Sequence, residues 1–238
     1  MALRFYKPVK NTIKGISFDL DDTLYFNEEV INKAEQVQYT TLCQLVPEAK
    51  QVPITYWRKL KWQVAKEIPD IAHDVSVWRK VVLEKGLTEL KSSQNIPTII
   101  EQVYSAFYQA RSDFDVPQQS FDVLSKLKQK YPLFAVTNGN ADFERIGLKP
   151  YFVDYYRAGE RSTRMKPHPD MLNLITLQHG IAPENILHIG DSPASDIQAA
   201  VNAGCGSLWF NPDKKSYPVG YVLPTGEYSD LDDLLHLL

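Results

Sequence analysis

The sequence predicts an α/β fold, in which a parallel sheet is combined with an inserted all-helical segment. Beyond about residue 113, short apolar runs alternate with amphipathic stretches, which is typical of right-handed βαβ units. Between residues 26 and 112, apolar residues instead recur at helical spacing. The chain has 238 residues, of which 44% are apolar, so it is long enough to bury a sizeable core in one or two domains.

Short apolar runs are predicted to form parallel strands that are buried on both faces. The first lies before the helical segment and the others follow it. We therefore predict an α/β core of residues 1–25 and 113–238, and a helical cap of residues 26–112. A cap beside an active site can exclude water and select substrates. The predicted strands span residues 13–18, 133–137, 153–156, 186–189 and 206–210.

Four helices are predicted in the cap from the spacing of apolar residues, with proline and glycine between them. The third helix presents Val77 and Val81 to the interior and stops at Lys85-Gly86. The other stripes are Val30, Ala34, Val37, Thr41 and Leu45, then Tyr56, Leu60 and Val64, and finally Ile99, Ile100, Val103, Phe107 and Ala110.

Charge and cysteine content exclude several classes of protein. The net charge of -3 and the pI of about 6.0 argue against a nucleic-acid-binding surface. Cys43 and Cys205 are too few for a disulfide framework, which favours reduced thiols. The first 15 residues lack the apolar stretch of a signal peptide, and no run approaches the ~18 apolar residues of a membrane span. We expect a cytoplasmic protein with neither a nucleic-acid nor a membrane partner.

An acidic cluster, Asp19-Leu20-Asp21-Asp22-Thr23-Leu24, directly follows the first predicted strand. Ligands of open α/β sheets bind at the carboxyl ends of strands, so the cluster has the position of an active site. Asp19 and Asp21 are two residues apart and point the same way in extended backbone. Such carboxylates repel unless a proton or a cation such as Mg²⁺ relieves them. The alternative is an acidic turn that caps the next helix through Asp22 or Thr23.

Four segments in order make the sequence similar to the phosphatase branch of the haloacid dehalogenase superfamily. The resemblance covers nearly the whole chain and implies a Rossmann-like parallel core with a helical cap. The segments are FDLDDTL at 18–24, VTNG at 136–139, Lys166 within RMKPHPDM, and IGDSPASD at 189–196.

The resemblance implies a Mg²⁺-dependent phosphatase that forms an aspartyl-phosphate. In this family pattern Asp19 is the nucleophile, and Asp21 is the general acid and base. The resemblance also implies a Mg²⁺ site formed by Asp19, Asp191 and the backbone carbonyl of Asp21. Thr137, Asn138 and Lys166 are the implied phosphate-binding residues.

Several site residues have structural alternatives. Thr137 could cap a turn, and Lys166 could be solvated. Thr23 could contact phosphate or fix its loop. For Asp196 we favour a helix-dipole or indirect role over metal ligation, because it lies in the first turn of a helix that Ser192 caps. In the cap, Asp74 is expected to cap a helix, although His73, Trp78 and Arg79 nearby could instead face the substrate.

Other functions fit the motifs less well. A dehalogenase would not need the second aspartate. A phosphonate hydrolase would need a cap lysine positioned to form a Schiff base, and nothing in the sequence singles out Lys59, Lys61 or Lys66 for that role. Sugar-phosphate mutases usually have DxDG at the first motif. A phospho-acceptor signalling domain would be about half this size, and a non-catalytic protein would not need every expected residue.

The expected substrate is a small phosphorylated metabolite. The segments LRFYKPV, IAHDVSVWR, FDVPQQ and VTNGNA are similar to those of bacterial phosphatases of flavin metabolism. Those enzymes act on flavin mononucleotide and on 5-amino-6-(5-phospho-D-ribitylamino)uracil. A nucleotide or a sugar phosphate is the alternative substrate class.

Overall fold

The structure is a computed structural model that describes residues 3–7, 12–92 and 95–238. The chain divides into two compact units. The first consists of Met1–Phe26, Asp115–Gly139 and Gly147–Leu238, and the second of Asn27–Phe114 with Asn140–Ile146. The second unit thus includes residues 140–146, which lie within the range predicted for the α/β core. The predicted domain boundaries remain a prediction.

The first unit contains a seven-stranded sheet. Its strands are β1 Arg4–Phe5, β2 Gly15–Phe18, β3 Leu133–Thr137, β4 Asp154–Arg157, β5 Ile186–Gly190, β6 Gly206–Phe210 and β7 Gly226–Tyr228. Its α-helices are α5 Gln118–Leu127, α6 Asp170–His179 and α7 Gln198–Ala203. The predicted α/β class and mostly parallel sheet are confirmed.

The strand order is β1-β7-β6-β5-β2-β3-β4, and among the strands of the described residues only β1 runs antiparallel to its neighbour. The chain passes from β2 outward through β3 and β4, and then returns to β5 on the other side of β2. The order of the strands therefore reverses between β2 and β5. In open α/β sheets, the crevice at such a reversal is where ligands bind.

Three central strands, β2, β3 and β5, are buried at every residue. This is the expected result of apolar runs that are covered on both faces. The sequence prediction missed β1 and β7. Both are short, and β7 reads Gly-Glu-Tyr, which has no apolar run to reveal it. Residues 8–9 of the predicted LRFYKPV segment lie outside the described part of the chain.

The second unit is helical, as predicted for the cap. Its fourth helix buries the expected stripe, and its second helix buries Leu60 and Val64 as predicted, but the buried faces of the first and third helices differ from the prediction. In the third helix Val77 is 48% exposed, and Trp78, Val82 and Leu83 are buried instead. The first helix buries Ala34, Gln38 and Leu42. The helices are α1 Asn27–Leu45, α2 Ile54–Glu67, α3 Val75–Glu89 and α4 Ile96–Arg111.

Gly86 does not end α3, contrary to the prediction, because the helix continues to Glu89. A Cβ atom at this position would lie 2.3 Å from the Trp57 ring. The glycine therefore allows α3 to approach the ring of Trp57 on α2. By contrast, Asp74 does cap α3 as predicted, since its carboxylate accepts from the backbone N–H groups of Ser76 and Val77 at 2.9 and 3.0 Å.

Within the described residues, no helix combines the length and apolar character that crossing a bilayer requires. Cys43 and Cys205 are free thiols. The cytoplasmic location stays a prediction.

Candidate active site

The predicted site residues of the first unit follow the strands that flank the reversal in the sheet. Asp19 follows β2, and Asp191 follows β5. The backbone N–H of Asp19 donates to the carbonyl oxygen of Ile189 at 2.8 Å, which ties the two strand ends together. Thr137 is the last residue of β3, the neighbour of β2 on the other side.

Asp19 is 6% exposed and lies against Lys166. The ammonium of Lys166 donates to Asp19 Oδ1 at 2.6 Å, and Thr23 Oγ1 donates to Asp19 Oδ2 at 3.3 Å. Burial raises the pKa of Asp19, while the attraction of Lys166 opposes that rise. The contact explains what Thr23 does in this structure, because its hydroxyl fixes the orientation of the Asp19 carboxylate.

Lys166 is buried, and its ammonium contacts three oxygen acceptors among the described residues. Besides Asp19, it contacts the carbonyl oxygen of Val136 at 2.7 Å and Asp196 Oδ1 at 2.7 Å. Burial alone would lower the pKa of Lys166, but Asp19 and Asp196 outweigh it and hold the pKa above its usual value. Lys166 therefore stays charged, and it is a buried ion-pair partner and not a solvated surface lysine.

Asn138 connects the end of β3 to the backbone of Lys166. Its carboxamide oxygen accepts from the Lys166 N–H at 2.8 Å, and its amide nitrogen donates to the Lys166 carbonyl at 3.1 Å. Thr137 Oγ1 in turn accepts from the N–H of Gly139 at 2.9 Å. In this structure Asn138 positions the Lys166 segment, while the predicted phosphate contacts of Thr137 and Asn138 remain predictions.

Three carboxylates could hold a metal ion. One oxygen of each of Asp19, Asp191 and Asp196 lies within 4.8 Å of the others. Burial, followed by repulsion from Asp196 and Asp22, raises the pKa of Asp191 to about 7. A divalent cation with a preference for oxygen ligands would relieve this repulsion, so the donor set fits Mg²⁺.

Metal binding should be stronger at alkaline pH, because Asp191 must lose its proton to bind a cation. Its raised pKa of about 7 keeps it largely protonated at pH 5 and ionised at pH 8. At a free Mg²⁺ concentration about 100 times its Kd, the metal should stabilise the folded protein by about 2.7 kcal/mol at pH 8. This gain should raise the Tm by roughly 5–10 °C, and the increase in Tm should be smaller at pH 5. Thermal unfolding with Mg²⁺ or EDTA measures this. A gain that persists in Asp191→Asn, or that is larger at pH 5, contradicts the assignment.

The carboxylate of Asp21 lies between Tyr25 and Gly139. Tyr25 donates its hydroxyl proton to Asp21 Oδ1 at 2.7 Å. On the other side lies Gly139, where an added Cβ would be 2.3 Å from Asp21 Oδ2 and 3.2 Å from Thr137 Oγ1. The position of the Asp21 carboxylate therefore depends on the absence of a side chain at residue 139.

Gly139→Ala should displace the Asp21 carboxylate and lower kcat by about 100-fold, because misplacing a reacting group by about 1 Å has an effect of this size. We expect little loss of stability, since the carboxylate can move toward solvent. Gly180→Ala is the matched control. Gly180 has a φ of 64° and no atoms within 4 Å of an added Cβ, so alanine there should cost about 1–2 kcal/mol of stability and leave kcat unchanged. Unimpaired turnover by Gly139→Ala would disprove the role of this close approach.

For Asp196 the sequence favours a helix-dipole or indirect role over metal ligation, and the structure places its carboxylate against Lys166 at 2.7 Å. It is 1% exposed, and besides Lys166 it accepts from the Ser192 N–H at 2.9 Å. Burial alone would raise the pKa of Asp196, but Lys166 and His188 hold it below its usual range. Ser192 does cap the following turn as predicted, accepting from Ser195 N–H at 3.3 Å. In the sequence, the feature that could have indicated this position is the spacing of Asp191 and Asp196 around the short turn after β5.

The chain belongs to the haloacid dehalogenase-like hydrolase family, whose model matches residues 13–204. It is 34% identical to the Escherichia coli 5-amino-6-(5-phospho-D-ribitylamino)uracil phosphatase YigB, over 99% of this chain and 100% of YigB. The prediction of a phosphoric monoester hydrolase is confirmed at the level of the family and its phosphatase-named members.

Two further relatives support the fold. The chain is 32% identical to the putative HAD-hydrolase YfnB of Bacillus subtilis, over 94% of this chain and 95% of YfnB. A magnesium-bound structure of YfnB matches with a TM-score of 0.63 over 96% of this chain and 99% of that one. The structure of a 2-haloacid dehalogenase from Pseudomonas syringae matches with a TM-score of 0.88 and 28% identity, over 95% and 98% of the two chains.

Proposed function

We propose that this enzyme hydrolyses small phosphomonoesters through an aspartyl-phosphate formed on Asp19, with Mg²⁺ as its cofactor. The observation that carries the proposal is the buried contact of 2.6 Å between the Asp19 carboxylate and the Lys166 ammonium, beside a group of carboxylates suited to a metal. An anionic nucleophile can approach an anionic phosphate only where positive charge offsets their repulsion.

In the first step one Asp19 oxygen attacks phosphorus, and the bond from phosphorus to the substrate oxygen breaks. Asp21 donates a proton to the departing alcohol. In the second step Asp21 takes a proton from water, which attacks the phosphorus of the aspartyl-phosphate and releases phosphate and Asp19. The hydrogen bond from the Tyr25 hydroxyl orients the Asp21 carboxylate for both steps, and the lack of a side chain at Gly139 leaves room for it.

Lys166 and Thr23 orient the nucleophile, and Lys166 also neutralises charge on the transferring phosphoryl oxygens. Thr137, at the end of β3, supplies a hydroxyl to the same oxygens. Asp19, Asp191 and the backbone carbonyl of Asp21 would hold Mg²⁺, with Asp196 as a further carboxylate in the same group. When bound, Mg²⁺ would neutralise negative charge on the phosphoryl group without any transfer of a proton.

The substrate we propose is an intermediate of flavin biosynthesis, 5-amino-6-(5-phospho-D-ribitylamino)uracil. The full-length likeness to YigB, which carries that substrate in its name, supports this choice. A nucleotide or a sugar phosphate remains the alternative substrate class.

A phosphomonoester panel with Mg²⁺ tests the proposal. We expect the ribitylaminouracil phosphate and flavin mononucleotide to be hydrolysed with higher kcat/KM than nucleotides and sugar phosphates, and EDTA to abolish turnover. Faster hydrolysis of a nucleotide would overturn the substrate but not the chemistry. Release of less than one phosphate per enzyme molecule would indicate a phospho-acceptor protein and overturn the chemistry.

A dehalogenase is the second candidate, because the Pseudomonas syringae structure with that name matches closely. Its chemistry shares an aspartate nucleophile but has no alcohol that needs a proton. The positioned Asp21 carboxylate favours the phosphatase. Halide release from 2-chloropropionate should be absent, and halide release faster than phosphate release would favour the dehalogenase.

A further inference from the structure

The helical unit has a small polar pocket of its own among α1, α2 and α3, with a volume of about 30 Å³. Since about 10–15 Å³ accommodates one water, the pocket has room for about two oxygen atoms. Nothing in the proposed chemistry uses it. The side chains that concern us are Glu35, Gln38, Trp57, Arg58, Lys61 and Arg79.

Three cationic side chains and one carboxylate line this pocket, so positive charge exceeds negative charge in it. Arg58 Nε lies 2.8 Å from Glu35 Oε2, and Arg79 Nη2 lies 3.9 Å from Glu35 Oε1. The two arginines thus share one acid. Within the described part of the chain, the ammonium of Lys61 forms neither a hydrogen bond nor an ion pair with another side chain.

The charge of Arg79 is poorly exposed to solvent. Its side chain is 11% exposed, and its guanidinium carbon lies 3.6 Å from the centre of the Phe107 ring. Nη1 donates to Gln38 Oε1 at 2.9 Å, but the buried Nε has no acceptor among the described residues. The indole nitrogen of Trp57 is likewise buried without an acceptor there. Buried donors and charges without partners are costly, and an anion would offset that cost.

Lys61 adds to the excess charge. Its ammonium lies 4.5 Å from the centre of the Trp78 ring, which offers only a cation–π contact. Burial and then repulsion by Arg79 lower the pKa of Lys61 to about 8, while Glu35 opposes this. Lys61 is therefore still mainly charged at pH 7, but it lacks the anionic partner that would restore its usual pKa.

We propose that this pocket binds a small oxyanion, with Lys61 and Arg79 as its charged ligands. Two oxygen atoms of a carboxylate, phosphate or sulfate match both the room in the pocket and its unshared positive charge. The inference does not depend on the chemistry of Asp19, since all the residues that carry it belong to the helical unit.

Trp57 provides a local reporter for the test, since it lines the pocket and its indole N–H signal can be assigned with Trp57→Phe. The magnesium-free full-length protein is titrated with sodium sulfate and followed by ¹H–¹⁵N NMR, with sodium chloride at equal ionic strength as the reference salt. We expect a saturable movement of the Trp57 signal with sulfate. No movement beyond that seen with chloride would overturn the proposal.

Two lysines on the same helix make a matched pair of variants. Lys61→Met should raise the sulfate Kd measured at Trp57 at least about tenfold, as expected from loss of one charged contact of about 1.4 kcal/mol. Lys59→Met, which removes an exposed charge two residues away, should leave the Kd unchanged. The indole signal of Trp209 in the α/β unit verifies folding. Equal sulfate Kd values for the two variants would overturn the proposed site. Phosphatase assays of both variants can be made separately, but the proposal does not depend on their outcome.

Discussion

Asp19→Asn should abolish phosphate release, with a loss of roughly 10⁴-fold or more in kcat, because the substitution removes the nucleophile. The fold should persist, since the asparagine oxygen can still accept a hydrogen bond from Lys166, which also contacts Asp196 at 2.7 Å. Removing one of several neighbouring carboxylates also lessens their repulsion in the metal-free protein. Steady-state phosphate release and the Tm together measure both expectations.

Asp22→Asn is the control, because it removes the same charge from the same segment. Asp22 is exposed and has a φ of 59°, a conformation that asparagine tolerates. It should retain most of the activity. If Asp19→Asn retained substantial turnover, or if both variants lost activity equally, the carboxylate of Asp19 would not be the nucleophile.

Lys166→Met should be the most damaging change to both stability and activity. The ammonium is shared by Asp19 at 2.6 Å and Asp196 at 2.7 Å, and its removal leaves two buried carboxylates without a cation. Breaking a buried ion pair from one side costs about 3–5 kcal/mol. We expect kcat to fall by at least about 100-fold as well, since removing one stabilising donor has an effect of that order.

Urea unfolding without metal, followed by activity assays at saturating Mg²⁺, separates these two effects. Lys126→Met is the control, since Lys126 is an exposed lysine of the same unit. The Lys126→Met protein should match the wild-type protein in both its free energy of unfolding in urea and its kcat. A Lys166→Met protein as stable as this control would contradict the buried ion pair as a structural element.

The sequence predicted the central strands well because burial on both faces makes each of them a continuous apolar run. The predicted strand at 133–137 coincides with β3, and that at 206–210 with β6. The strands β1 and β7 were not predicted because they are short and depend on pairing between residues far apart in the chain, such as Arg4 with Glu227. Such pairing leaves no local pattern.

The helical faces were harder to predict because polar residues take part in the core of the second unit. Gln38 is 8% exposed and bonds to Arg79, so the buried face of α1 passes through a residue that periodicity treats as polar. The sequence pattern predicts a helix end at Gly86, but the lack of a side chain there makes room for Trp57 instead. Neither role is visible without the neighbouring helix.

For the active site, the motifs identified side chains but not their partners. Strand ends and the family resemblance point to Asp19, Lys166 and Asp191, and the structure brings Asp19 and Lys166 into contact. The contact between Tyr25 and Asp21 and the burial of Asp196 against Lys166 depend on side-chain directions in a turn. Spacing in the sequence does not determine those directions.

The most direct test of the proposed mechanism uses Asp21→Asn with 4-nitrophenyl phosphate, whose leaving group needs no proton donor. Asp19 should still be phosphorylated, but water should no longer be activated. Rapid mixing with Mg²⁺ should release about one equivalent of nitrophenol and then stall, and mass spectrometry of the acid-quenched protein should find one phosphoryl group on Asp19. Nitrophenol release that continues while Asp19 remains unmodified would contradict the aspartyl-phosphate.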